Sequence, residues 1–331
     1  MTPGTATMYR RFAEIEAHPT SPLYAEWAAS IADDPAVLEL IDPLPGNKKQ
    51  PNLVFAAARY AGAPVAAYPE LRQWLLHHWA RVEPVIQSRM TQTNEAGRCA
   101  VILPLLSRIE GPVALIEAGA SAGLCLYPDR YSYRYQGAAG EHRLHPADGP
   151  GAVELPCAFE GPEPPARLPE VVWRAGIDLN PLDLRDGADA AWLETLVWPE
   201  HHVRRRRLRA AASVVAADPP HLVRGDMAET LPQLVAEAPA DATVVVFHSS
   251  VLVYLDPEHR RRFVDLVQSL NVTWISNEGE GSVPSIAARL PRSAGGRTVL
   301  AQDGVPRAFT GPHGQSYEAL EPLPAVPAGH Q

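Results

Sequence analysis

Residues 113–124, Val-Ala-Leu-Ile-Glu-Ala-Gly-Ala-Ser-Ala-Gly-Leu, constrain the fold of this chain more than any other stretch. Four apolar residues run into an acid, Glu117, and the acid runs into a turn built only of tiny residues. A short apolar run bounded by glycines is the pattern of a buried parallel strand in an α/β sheet. An apolar, helix-like segment is expected to follow the turn. Gly119 and Gly123 permit backbone angles that a Cβ forbids and let a ligand come close to the main chain. The N–H groups of a helix start would then meet a polar ligand.

Three chemistries compete for this turn. A dinucleotide fingerprint needs a further small residue at the helix start. The acid-x-Gly-x-Gly-x-Gly loop of class I S-adenosylmethionine methyltransferases fits with Ser121 in place of the central glycine. In that reading Glu117, at the lip of the sheet, anchors the cationic end of the cofactor. The third is a nucleophile elbow, because Gly119-Ala120-Ser121-Ala122-Gly123 matches Gly-x-Ser-x-Gly. A strand-turn with nothing bound is the bland alternative.

Upstream, residues 1–110 read as a helical N-terminal domain. Met8 to His18, Ser21 to Ile31, Pro35 to Ile41, Asn52 to Ala61 and Pro69 to Trp79 carry apolar residues at helical spacing. Asn94 is placed to cap a helix running to Leu106. Asn94, Glu95 and Arg98 precede the first strand and are candidate substrate contacts. No strand is expected before residue 112, which weakens the elbow reading, since an α/β-hydrolase needs several strands before its nucleophile.

Downstream, residues 111–322 read as a Rossmann-like sheet of class I methyltransferase type with helices on both faces. An insertion interrupts it at about 136–169, and 323–331 form a tail expected to be disordered. Val171 to Asp178 is a second strand ending in Gly-Ile-Asp, where Asp178 is suited to hold ribose hydroxyls. His221 to Met227 is a third, with Asp226 a candidate adenine acceptor and Met227 a candidate ring contact. Thr243 to Ser250 and Val272 to Glu278 are the fourth and fifth, both ending in polar residues. His248 is the first candidate base, because imidazole titrates near neutral pH, and Glu278 is the second. Thr298 to Ala301 and Phe309 to Leu320 supply the last strands. The hydrolase alternative retains the chain order Ser121, an Asp, His313.

The 46% hydrophobic and 20% charged content is that of a globular protein, with room for about two domains in 331 residues. No apolar run approaches the ~20 residues of a membrane helix, and the N-terminus has no apolar signal core. Cys99, Cys125 and Cys157 have no metal-ligand spacing, and an odd number of cysteines argues against a disulfide framework. A cytoplasmic protein with no bound metal and no membrane contact is expected. A net charge of −9 argues against a dedicated nucleic-acid binder. The arginines at 204–207 and 209 spread around a helix.

The runs Gln92-Thr93-Asn94-Glu95, Leu115 to Leu124, Trp173 to Asp183 and Leu196-Val197-Trp198-Pro199-Glu200, with His248-Ser249 and Tyr254, resemble an uncharacterised bacterial family. Its only label is domain of unknown function number 2332. The resemblance spans about residues 10–320 and implies no substrate. Cys125 stands where the family pattern suggests Asn. Together the residues point to an S-adenosylmethionine-dependent methyltransferase acting on a small-molecule acceptor. The alternatives are a serine hydrolase using Ser121 and a non-catalytic nucleotide-binding protein of the same fold.

Overall fold

The structure, a computed structural model, describes residues 4–92 and 94–320. Thr93 and the tail at 323–331 lie outside the described residues. The chain divides into two compact units. One comprises 4–92 with 185–209, and the other 94–184 with 210–320. Residues 94–110, read from the sequence with the helical domain, fall in the second unit, and the first takes in a later segment. The cause is helix α6 (Cys99–Leu106). Every one of its residues is buried, so it is apolar all round and belongs inside the second unit.

The first unit is helical. Helix α1 (Thr5–Arg11) continues into a π-helical stretch at Phe12–Ala17. Helix α2 (Pro22–Ala32) starts at Ser21, whose Oγ accepts the Tyr24 N–H, with proline at the first helical position as the sequence suggests. Helix α3 (Pro35–Ile41) is capped by Asp34 in the same manner. Helices α4 (Pro51–Tyr60) and α5 (Tyr68–Ser88) complete the N-terminal part. α5 runs past the expected Trp79 and accommodates Pro84 in its interior. The later segment contributes α7 (Gly187–Leu196). Tyr9, Phe12, Tyr24, Trp27, Phe55 and Trp198 pack edge-on and stacked as one aromatic cluster.

The second unit is organised around one mixed sheet of eleven strands. In chain order they are β1 (Pro112–Ala118), β2 (Ser132–Gly137), β3 (Gly140–Leu144), β4 (Glu154–Glu160) and β5 (Glu170–Asp178). After helix α8 (His202–Ala217) come β6 (His221–Arg224), α9 (Met227–Glu237), β7 (Thr243–Ser249), α10 (Pro257–Ser269) and β8 (Thr273–Gly279). The chain then forms α11 (Pro284–Ala287), β9 (Thr298–Gln302), β10 (Val305–Thr310) and β11 (Ser316–Ala319). Strand order across the sheet is β3-β2-β4-β11-β10-β9-β8-β7-β1-β5-β6.

The five strands β6-β5-β1-β7-β8 are mutually parallel, and the chain direction across the sheet reverses between β1 and β7. Ligands of open parallel sheets sit at such a switch point, beyond the carboxyl ends of the strands. Continuous apolar runs place β1 and β7 at the centre: Val113 to Ile116 are fully buried, as are Val245 and Val246. β9 pairs antiparallel with β8, and β10 and β11 continue antiparallel. The 136–169 insertion joins the main sheet. β2 and β3 form a hairpin, and with β4 they extend the main sheet beyond β11. β4 shows why, because Leu155, Cys157 and Phe159 are buried while their neighbours are exposed, the alternation of a one-sided strand. Among the described residues no helix is long and apolar enough to cross a membrane.

Candidate functional site

The turn after β1 departs from expectation in one respect: no α-helix follows it. A single 3-10 turn spans Leu124–Leu126, and the chain then passes Pro128 into β2. The amides of the turn therefore do not form a helix N-terminus, and protein groups take most of them. Gly119 and Ala120 donate to the Ile177 carbonyl at 2.8 and 3.0 Å. Ser121 donates to Asp178 Oδ2 at 2.8 Å. Gly123 donates to Ala120 O, and Leu124 donates to Asn94 Oδ1 at 2.9 Å.

Asn94 is thus not a helix cap. Its carboxamide donates to Ala120 O at 3.2 Å and accepts from Leu124, clamping the turn from both ends. Glu95 takes the capping role, accepting the Gly97 N–H. The glycines also serve packing. Gly119 has φ +78, and a Cβ there would stand 2.3 Å from Val251 Cγ2; at Gly123, φ +76, it would meet Pro220 at 2.9 Å. Small residues here admit the Val251 and Pro220 side chains.

Parallel register aligns a polar row on one face of the sheet. Glu117 sits opposite Gly176 on β5 and Phe247 on β7. Side chains alternate along a strand, so Asp178 and Ser249 share the Glu117 face, and so does Asn277, opposite Ser249 on β8. Asp178 is already engaged: Oδ2 accepts from Ser121 and Oδ1 from the Asn180 N–H at 2.7 Å. Asn277 Nδ2 donates to Ser249 Oγ at 3.0 Å, and its Oδ1 accepts from Thr310 Oγ1 at 2.7 Å. Arg98, 7% exposed, donates to Ser249 O at 2.8 Å and to Pro312 O at 3.1 Å.

Glu117 is the outlier in this row. It is 4% exposed, and its Oε2 has no hydrogen-bond partner among the described residues. Ser121 Oγ, four residues on, is likewise buried without a partner. Burial lifts the Glu117 carboxyl well above its ordinary range. Cys125 and Asp178 push in the same direction, while the Arg98 guanidinium pulls against them.

The opposite face carries His248, Trp274 and Glu278. The Trp274 indole N–H donates to His248 Nε2 at 3.0 Å, and His248 Nδ1 meets Glu278 Oε1 at 2.8 Å. An indole only donates, so Nε2 accepts, and the ring is neutral with its proton on Nδ1, directed at Glu278. His248 is fully buried with both nitrogens engaged. It is therefore not the accessible base that its position at the end of β7 suggested. Glu278 Oε1 also accepts the Val251 N–H at 3.0 Å and the Leu252 N–H at 3.4 Å, while Oε2 has no partner among the described residues.

The remaining candidates take local roles. Asp226 caps α9, its Oδ1 accepting from Ala228 and Glu229. Met227, half-buried, packs against the apolar core that contains Ile177 and Leu231. Ser249, Asn277, Trp274 and Val251 matter to the site more than the sequence alone suggests. For Ser249 and Asn277 the signal was present, since both end apolar strands. For Trp274 and Val251 there was none. Among the described residues no group of three or more His, Cys, Asp and Glu side chains is arranged to hold a metal ion.

No curated protein and no solved structure matches the chain. A family model does match, over residues 6–318, and its description reads "uncharacterized protein conserved in bacteria". Nearly the whole chain, and every residue of the site above, falls inside that span, so the protein belongs to the DUF2332 family.

Proposed function

We propose that the protein is an S-adenosylmethionine-dependent methyltransferase of Rossmann-like type whose cofactor sits at the switch point between β1 and β7. The observation that carries the reading is Glu117: a buried carboxyl at the end of the central strand with one oxygen unpartnered. A buried polar atom without a partner costs about 1–3 kcal/mol, so its retention is explained by a donor-bearing ligand. Ser121 Oγ supplies a second unpartnered atom in the same turn, and Asp178 a carboxylate on the neighbouring strand. These groups fit the ammonium and hydroxyl donors of an adenosyl amino acid. Bound there, the cofactor supplies an electrophilic methyl on a sulfonium centre. Val251 Cγ2 stands against Gly119 in this turn, 2.3 Å from where a Cβ would be.

The chain's own contribution is orientation and a place for a proton. Glu278, buried at the end of β8 like His248, keeps Oε2 without a partner among the described residues as the acceptor, and His248, locked by Trp274, fixes the other oxygen of that carboxyl group. Titration of the protein with S-adenosylhomocysteine tests the reading. Binding that disappears in Glu117→Ala supports it, and no binding sinks it.

One observation favours the hydrolase alternative. Ser121 is a non-glycine residue at φ 53, a strained angle that a nucleophile elbow also uses. Against it, no α-helix follows Ser121, and its Oγ has no hydrogen-bonded histidine. Labelling of Ser121 by a serine-reactive phosphonate decides this point.

A further inference from the structure

The segment between β7 and α10 lies against the turn after β1. Val251 fills the side of Gly119 where a side chain would otherwise stand, within 2.3 Å of a notional Cβ. The segment is held through its backbone from two directions. Glu278 Oε1 accepts the N–H groups of Val251 and Leu252, and Arg260 donates to the carbonyls of Leu255 at 2.8 Å and Val253 at 3.3 Å. Ser250 enters it at φ 54, a left-handed angle unfavourable for a residue with a Cβ. Its crest, Val253 and Tyr254, is about 60% exposed, while Leu252 is fully buried in the core and Val251 and Leu255 pack against that core, so the segment is held at its base and open at its crest.

We propose that residues 250–255 are a displaceable plug over the Gly119 turn, latched shut by Glu278. The latch is a relay of fixed polarity. The Trp274 indole sets the His248 tautomer, the Nδ1 proton fixes Glu278 Oε1, and that oxygen holds the two amides of the plug. Opening breaks the bonds of the Val251 and Leu252 amides to Glu278, strains those of Ser250 to Asn277 O and of Arg260 to the Val253 and Leu255 carbonyls, draws Leu252 from the core, relieves Ser250 and withdraws Val251 from Gly119. A ligand on the turn and the plug then exclude one another, and the free protein pays the opening cost on binding. The ligand-exclusion part of the proposal rests on the methyltransferase reading; the latch itself does not.

The test combines hydrogen exchange with calorimetry on the full chain. In Glu278→Ala, the amides of Val251 and Leu252 should exchange about tenfold faster than in wild type, while the centres of β1 and β7 stay protected. Glu278→Gln, which keeps a carbonyl oxygen for those amides, should restore most of the protection. Arg260→Ala loosens the segment from its exposed side, and serves if the Glu278 variant does not fold. Val251→Ala should bind S-adenosylhomocysteine several-fold more tightly than wild type, because the plug competes less well. Unchanged exchange at 251 and 252 in both Glu278→Ala and Arg260→Ala overturns the latch. Equal or weaker binding by Val251→Ala overturns the exclusion of ligand by plug. Failure of S-adenosylhomocysteine to bind any variant overturns the methyltransferase reading, and the exchange result still decides the latch.

Discussion

The Trp274 indole donates a hydrogen bond to His248 Nε2, and this single contact decides what the histidine can do. With Nε2 occupied and Nδ1 committed to Glu278, the imidazole orients a carboxylate and has no atom left for a substrate. Replacing Trp274 by Phe removes the indole N–H, strands Nε2 in a fully buried site and leaves a small cavity. The expected cost is about 1–3 kcal/mol of stability, read from urea unfolding. His248→Ala should cost more, because it strands Glu278 and the indole together and leaves a cavity beside Phe263. Equal and negligible losses in both variants contradict the relay.

Glu117 gives a pH dependence whose sign is fixed by its environment. Burial raises its carboxyl above the ordinary 4.5. Below that value the group is protonated in both the folded and unfolded chain and contributes no difference. As pH rises past 4.5 the unfolded chain releases its proton first, so folding is progressively disfavoured until the folded group ionises as well. Glu117→Gln removes this titration. The stability advantage of Glu117→Gln over wild type should therefore grow between pH 4 and pH 8, while binding of the adenosyl ligand is lost. An advantage that stays constant across that range counts against a buried, proton-retaining carboxyl.

Gly119→Ala combines two penalties. A left-handed angle of +78° costs a residue with a Cβ about 1 kcal/mol, and overlap with Val251 adds about 1–3 kcal/mol. The double variant Gly119→Ala/Val251→Ala should recover a good part of the second penalty and none of the first. A double-mutant cycle measures this coupling directly. Strict additivity would place Val251 away from the turn.

The central sheet was legible because apolar runs of four to six residues ending in polar groups admit few other structures. The runs before Glu117, Asp178, His248 and Glu278 all proved to be parallel strands. What packs against the turn was not legible, because its glycines carry no mark of what they face. Gly119 meets Val251, a residue 132 positions later, and only the fold brings them together. The helix expected after the turn is absent because Gly123 and Pro128 bracket too few residues for one. The place of the insertion in the main sheet was not legible because Gly and Pro dominate it, although alternation at Leu155, Cys157 and Phe159 carried the strand signal. His248 shows the limit of position as a guide. A histidine at a central strand end invites a catalytic role, and a tryptophan 26 residues away removes it.

The most direct test of the account is calorimetric titration with S-adenosylmethionine and S-adenosylhomocysteine, beside NAD as a control. Wild type, Glu117→Ala and Asp178→Ala should be compared. The account predicts binding of either adenosyl species, abolished by Glu117→Ala, weakened by Asp178→Ala, and absent with NAD. No binding of either species to wild type, or binding indifferent to Glu117, would contradict it.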